Sequence, residues 1–305
     1  MKWRTLSLLS LGLLAAILAV EPGPAQSREQ MLVTADWLKQ HINDRNLVLL
    51  HVGEKSEFDA EHLPGARFIT MRDVATGQAA DYAVTGLSTE LPTPEAARAK
   101  LESLGISDDS RIIVYYGKDW VSPSTRIILT LDWLGLSDRT SLLDGGMPAW
   151  KRAGGQVTSE LATVTPGMLS VKPVKAVTID KEFVNANRGK PGFALIDARS
   201  PVMYDGIQPG MTKKGHIPGA KNLPFNTFHT EENILKPATE IRDMFANAGV
   251  KPGDTIMAYC HLGQQATVVV FAARTLGYKV LLYDGSFHNW EKYDLPVEIT
   301  PPKGQ

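Results

Sequence analysis

Three short segments of this chain occur twice, in the same order, and that duplication limits the fold more than any local propensity does. Glu61-His-Leu-Pro-Gly-Ala-Arg-Phe68 returns as Gly215-His-Ile-Pro-Gly-Ala-Lys-Asn222, and Arg111-Ile-Ile-Val-Tyr-Tyr116 returns as Thr255-Ile-Met-Ala-Tyr-Cys260. Leu143-Asp-Gly-Gly-Met-Pro-Ala-Trp150 returns as Tyr283-Asp-Gly-Ser-Phe-His-Asn-Trp290. Matched at His62/His216, Tyr116/Cys260 and Trp150/Trp290, the copies are offset by 154, 144 and 140 residues. A unit of roughly 130 residues is too long for a solenoid repeat and has the size of a whole domain. The expected organisation is a leader over residues 1–27, a first domain over 28–160, a linker over 161–176 carrying Pro166, Gly167 and Pro173, and a second domain over 177–300.

The leader is read from its charge pattern. Lys2 and Arg4 precede an uncharged run from Leu6 to Val20, and Glu21-Pro-Gly-Pro-Ala-Gln-Ser27 follows. Such a run falls short of the roughly 20 residues of a spanning helix and suits the apolar region of a secretory signal. Ala25 and Ser27 put small residues before a cleavage point at Arg28. The expectation is export, most simply to a periplasm, with no membrane attachment after cleavage.

Lys and Arg number 32 against 33 Asp and Glu, so no broad field recruits nucleic acid or anionic lipid. The one cysteine, Cys260, excludes an internal disulfide and supplies too few thiolates for a structural zinc site or an iron-sulfur cluster. The seven histidines form no HExxH pattern, and neither a metal nor any other cofactor is expected. In an oxidising compartment a single thiol is either a buried core residue or a reactive one.

Each copy alternates short apolar runs with helical patterns, which argues for an α/β fold: a mostly parallel sheet in each domain, with helices on both faces. Strands are predicted over 47–51, 112–116 and 140–143 in the first copy and over 193–196, 255–259 and 279–283 in the second. Helices are predicted over 125–134 and 266–276. In open sheets of this kind ligands bind beyond the carboxyl ends of the strands, and Cys260 follows such an end. The loop Cys260-His-Leu-Gly-Gln-Gln265 then leads into a helix. Consecutive amide N–H groups of such a loop can converge on one anion and favour a thiolate.

These residues carry a resemblance. The two His-(Leu/Ile)-Pro-Gly-Ala segments, Asp197-Ala-Arg199, the loop after Tyr259 and the two Asp-Gly-x-x-x-x-Trp endings together resemble the tandem-domain rhodanese family of thiosulfate and 3-mercaptopyruvate sulfurtransferases. The resemblance covers nearly all of the chain after the leader. It implies an active second domain and a first domain that is inactive because Tyr116 stands where Cys260 stands. It further implies that Cys260 takes sulfane sulfur from a small anionic donor as a persulfide and passes it to cyanide, sulfite, a thiol or a protein acceptor, without a cofactor. Arg199 matches the family's substrate-binding arginine. Family thiosulfate enzymes often carry Arg and Lys after the cysteine, and mercaptopyruvate enzymes often carry Gly and a Ser- or Thr-containing loop. This chain has His261 and Leu262, so the donor stays open.

Several residues keep two readings at this level. His261 supplies partial charge or a hydrogen bond to the donor, or simply faces solvent. Gln264 and Gln265, beside Gly263, donate into the site or shape the helix start. Asp197 orders the segment that presents Arg199. His216 is matched by His62 in the copy without a cysteine, which points to a structural turn; Asp144 and Asp284 read as turn residues. A cysteine phosphatase or arsenate reductase could use the same cradle, but a phosphatase of the C-x5-R type would need arginine where Ala266 stands. A sulfur-relay or anion-binding module without turnover is the remaining alternative.

Overall fold

The computed structural model describes residues 26–76, 86–87, 89–118, 121–210 and 213–300; nearly all of the leader lies outside them. Each copy builds one five-stranded sheet. The first contains β1 (Leu32–Val33), β2 (Leu47–Val52), β3 (Arg67–Ile69), β4 (Arg111–Tyr116) and β5 (Thr140–Leu143) in the order β1-β5-β4-β2-β3. The second contains β6 (Thr178–Ile179), β7 (Phe193–Asp197), β8 (Lys221–Asn222), β9 (Thr255–Tyr259) and β10 (Lys279–Tyr283) in the order β6-β10-β9-β7-β8, the same permutation. Every pairing within these sheets is parallel. Parallel neighbours need crossover connections, and their sheets must be covered on both faces.

The strand period of two divides the apolar side chains between those faces. Val48, Leu50, Ile112 and Val114 join one cluster while Leu49, Ile113 and Tyr115 join another. In the second sheet Ile196, Ile256 and Ala258 separate from Leu195, Met257 and Tyr259 in the same way. The first-named faces of both sheets belong to a single cluster, so the largest core of the molecule is shared between the domains.

Helices Val121–Trp133 and Ala266–Arg274 stand in that shared core. Gln264 Nε2 donates to Ser122 Oγ at 3.0 Å, Thr125 Oγ1 lies 2.7 Å from Thr267 Oγ1, and Arg274 pairs with Asp132; the partners are 142 residues apart in every case. Residues meeting their own counterparts is the signature of a two-fold interface, and positions 122, 125 and 132 follow heptad spacing along one helix face. The two helices therefore run side by side in parallel, and their N-termini, with the loops that precede them, lie at the same end. The first helix begins four residues before the sequence pattern suggested. Pro123 falls in its first turn, where no intrahelical N–H bond is required.

Residues 159–177 contain no helix or strand but are tied to the first domain. Gly167 and Leu169 N–H groups donate to the backbone and carboxylate of Glu102, and the Lys175 N–H donates to Trp133 O.

Candidate active site

The recurring His-(Leu/Ile)-Pro-Gly turn is a brace beneath the site. Ile217 N–H donates to the Tyr259 hydroxyl at 3.1 Å, and Leu63 N–H does the same to Tyr115. His216 Nδ1 is 2.9 Å from Tyr204 O and its ring stacks on Tyr204; His62 repeats both contacts with Phe58. The same geometry occurs in the copy without a thiol, and so does not depend on chemistry at Cys260.

Cys260 follows Tyr259 at the end of β9 and is 1% exposed. Its N–H donates to Ser286 Oγ at 3.2 Å, and its carbonyl accepts from Phe287 N at 3.0 Å. Ser286 holds φ 51°, a left-handed conformation costly for a residue with a side chain, and its hydroxyl also donates to Tyr283 O. Further along the loop, His261 O accepts from His288 N, Leu262 O from the Thr89 hydroxyl and Gly263 O from Arg126 Nη1. Gln264 O accepts from Thr267 N and Gln265 O from Val268 N. Each carbonyl from Cys260 to Gln265 is thus engaged. Among the described residues, no acceptor meets the N–H groups of His261 to Ala266. Holding the carbonyls outward and leaving the amides unpaired makes the loop a cradle for negative charge. Gly263 is required for this shape: its φ is 81°, and a Cβ there would lie 2.4 Å from Asp284 O.

Arg199 is entirely buried. Its Nε and Nη2 bind both oxygens of Asp197 at 2.6–3.1 Å, Nη2 also reaches Gly215 O, and the guanidinium lies 4.0 Å over the Phe287 ring. Nη1 alone has no partner among the described residues. His261 and His288 stack with centroids 5.8 Å apart, each with a buried, unpaired Nδ1. Burial, then the proximity of His288 and Arg199, lowers the His261 pKa, so at neutral pH this residue offers hydrogen bonds and not the charge that the sequence suggested. The Gln264 amide is spent on Ser122 across the domain boundary, and Gln265 makes no side-chain hydrogen bond among the described residues.

The first domain closes over this loop. Arg126 donates to Asp284 Oδ1 and to Thr89 O. The Leu91 N–H donates to Asp284 Oδ2, and its counterpart across the interface is the Leu235 N–H on Asp144 Oδ1, both at 2.9 Å. Asp144 and Asp284 stand in turns, as the sequence suggested, and also join the domains. Tyr116 sends its hydroxyl to Asn233 O, and its ring fills the space above Gly146, the counterpart of Ser286. Ser286, His288, Thr89 and Arg126 were missed from sequence. A signal existed for the first two: they sit inside the repeated Asp-Gly-x-x-x-x-Trp motif at positions where the first copy has Gly146 and Pro148.

A family model described as "Rhodanese-like domain" matches residues 34–153 and again 180–293. The chain is 29% identical to "Thiosulfate/3-mercaptopyruvate sulfurtransferase 1, mitochondrial" of Arabidopsis thaliana, covering 89% of this chain and 79% of that one. It is 30% identical to "Sulfur carrier protein TtuD" of Thermus thermophilus, over 86% and 93% of the two. Among solved structures, SseA of Escherichia coli, described under the "rhodanese" fold of 3-mercaptopyruvate sulfotransferases, superposes with a TM-score of 0.73 at 27% identity, covering 84% of this chain and 98% of that one.

Proposed function

The chain belongs to the rhodanese-like domain family, and on that footing we propose that it moves sulfane sulfur through a persulfide on Cys260. The sulfur of Cys260, as thiolate, attacks the outer sulfur of thiosulfate or a related anionic donor. The donor's S–S bond breaks, sulfite leaves with the bonding pair, and Cys260 carries the transferred sulfur as a persulfide anion. A nucleophile such as cyanide, sulfite or a thiol then attacks the outer sulfur, and the cysteine thiolate is released. The observation that carries this reading is the loop of engaged carbonyls and unpaired amides after Cys260, which suits a negative sulfur before and after transfer. Arg199 Nη1, buried and without a partner among the described residues, is the cationic donor assigned to the substrate's remaining charge in this reading.

Incubating the protein with thiosulfate, and separately with 3-mercaptopyruvate, tests the proposal by intact mass. A gain of about 32 Da, removed by cyanide with release of thiocyanate, is the expected result. Absence of the adduct with every donor would leave Cys260 an inert core thiol, which its burial alone would also fit.

A protein acceptor is a second reading, favoured by the likeness to a sulfur carrier protein. In it the persulfide is handed to a partner thiol instead of a small molecule. The leader pattern supports export of the protein, which fractionation of expressing cells tests directly.

A further inference from the structure

The first domain keeps the frame of the active site with different contents. Tyr115 and Tyr259 hold equivalent turns, and strand register sets His51 beside Tyr115 as it sets Asp197 beside Tyr259. His51 therefore stands in the place of Asp197, and Gly53 in that of Arg199. Following the repeated segments, Gly117 replaces His261, while Met147 and Pro148 replace Phe287 and His288. Where the second domain packs a guanidinium against Phe287, the first leaves a cavity of about 400 Å³ lined by His51, Glu57, Gly117, Met147 and Pro148.

His51 is fully buried, yet neither ring nitrogen has a hydrogen-bond partner among the described residues. A buried polar atom left in this way calls for a ligand or water. His51 Nε2 and Glu57 Oε2 lie 3.2 Å and 3.4 Å from the Cβ position of Gly53, with Gly117 N at 3.7 Å, so the absence of a side chain at residue 53 leaves both atoms facing the same part of the cavity. A group that enters the cavity and approaches this wall meets an imidazole nitrogen and a carboxylate oxygen. Burial, with His62 nearby, lowers the His51 pKa to about 4, so the ring is neutral and, with its proton on Nδ1, presents a lone pair at Nε2. The group that satisfies both is a positively charged N–H donor. Met147 and Pro148 offer it apolar walls, and Lys118 stands at the rim.

We propose that this cavity binds a small primary ammonium compound of amino-acid size with an apolar body, its nitrogen donating to His51 and Glu57. With tyrosine, glycine and histidine at the positions of Cys260, Arg199 and Asp197, the same frame suits a cation.

Titration of the full chain, labelled with ¹⁵N-histidine, tests this, the His51 signals being assigned through His51→Gln. L-methionine and n-butylammonium are expected to shift the His51 resonances, and N-acetyl-L-methionine, which lacks the ammonium, is not. Glu57→Gln should weaken L-methionine binding by about tenfold or more. Cys260→Ser should leave it unchanged, which separates this site from sulfur transfer. No His51 shift up to about 10 mM of either ammonium compound, or undiminished binding by Glu57→Gln, would overturn the proposal.

Discussion

Arg126, on a helix of the first domain, donates to Asp284 of the second at 2.5 Å, and the same guanidinium reaches the carbonyl of Gly263 in the cysteine loop. The side chain of Arg126 is fully buried. The domain without a thiol thus helps to hold the loop that surrounds the thiol of the other. Removing one member of a buried ion pair strands its partner, typically at about 3–5 kcal/mol. Arg126→Met is expected to lower the thermal midpoint and to reduce sulfur transfer even in preparations that remain folded. Calorimetry and a thiocyanate assay check the two effects separately.

Gly263 and Gly219 both adopt positive φ, at 81° and 85°. Only at Gly263 would a methyl collide with backbone, because nothing lies within 4 Å of a Cβ at Gly219. Gly219→Ala should cost about 1–2 kcal/mol of conformational strain and leave activity near normal. Gly263→Ala should cost more and abolish persulfide formation, since the loop must move off Asp284. Denaturant midpoints and intact-mass adducts distinguish the pair.

Arg199 has one guanidinium nitrogen unpaired, and Asp197 holds the others. Arg199→Lys keeps the charge and loses the fork that grips both carboxylate oxygens. Its expected effect is a raised KM for thiosulfate with a smaller change in kcat, roughly tenfold or more in kcat/KM. Equal kinetics for the variant and the parent would remove Arg199 from the donor site.

Acid should weaken the fold in a defined window. Burial lowers both His51 and His229 to about 4, with His62 and Arg28 as the respective secondary causes. In the unfolded chain each titrates near about 6.5, so between these values the unfolded state binds the extra protons. Stability from these residues is complete above about pH 6.5 and falls as pH drops towards 4, by up to about 3 kcal/mol for each. Urea midpoints measured across that interval should drop steeply for the parent and less steeply for His229→Gln.

Much of this architecture was legible because duplication is a long-range signal written in linear order. The strands over 140–143, 255–259 and 279–283 coincide with β5, β9 and β10, since buried parallel strands are compact apolar runs bounded by turn residues. The position of Cys260 followed from the end of β9. What the sequence did not yield lies across the domain boundary. Nothing in a local pattern brings Thr89 to Leu262 or Leu235 to Asp144, because those contacts depend on how two finished sheets dock. His51 escaped notice for a related reason: its correspondence to Asp197 appears only once strand register aligns the two copies.

The shared apolar cluster has a consequence for the history and handling of the chain. A face that Val114 and Ile256 complete together cannot be exposed by either half without cost, so each domain plays for the other the part that a partner subunit plays in an obligate dimer. Cutting the chain between them should give fragments that aggregate singly and recover their fold only on being mixed. The copy without a thiol endures as the wall against which the copy that carries Cys260 is built.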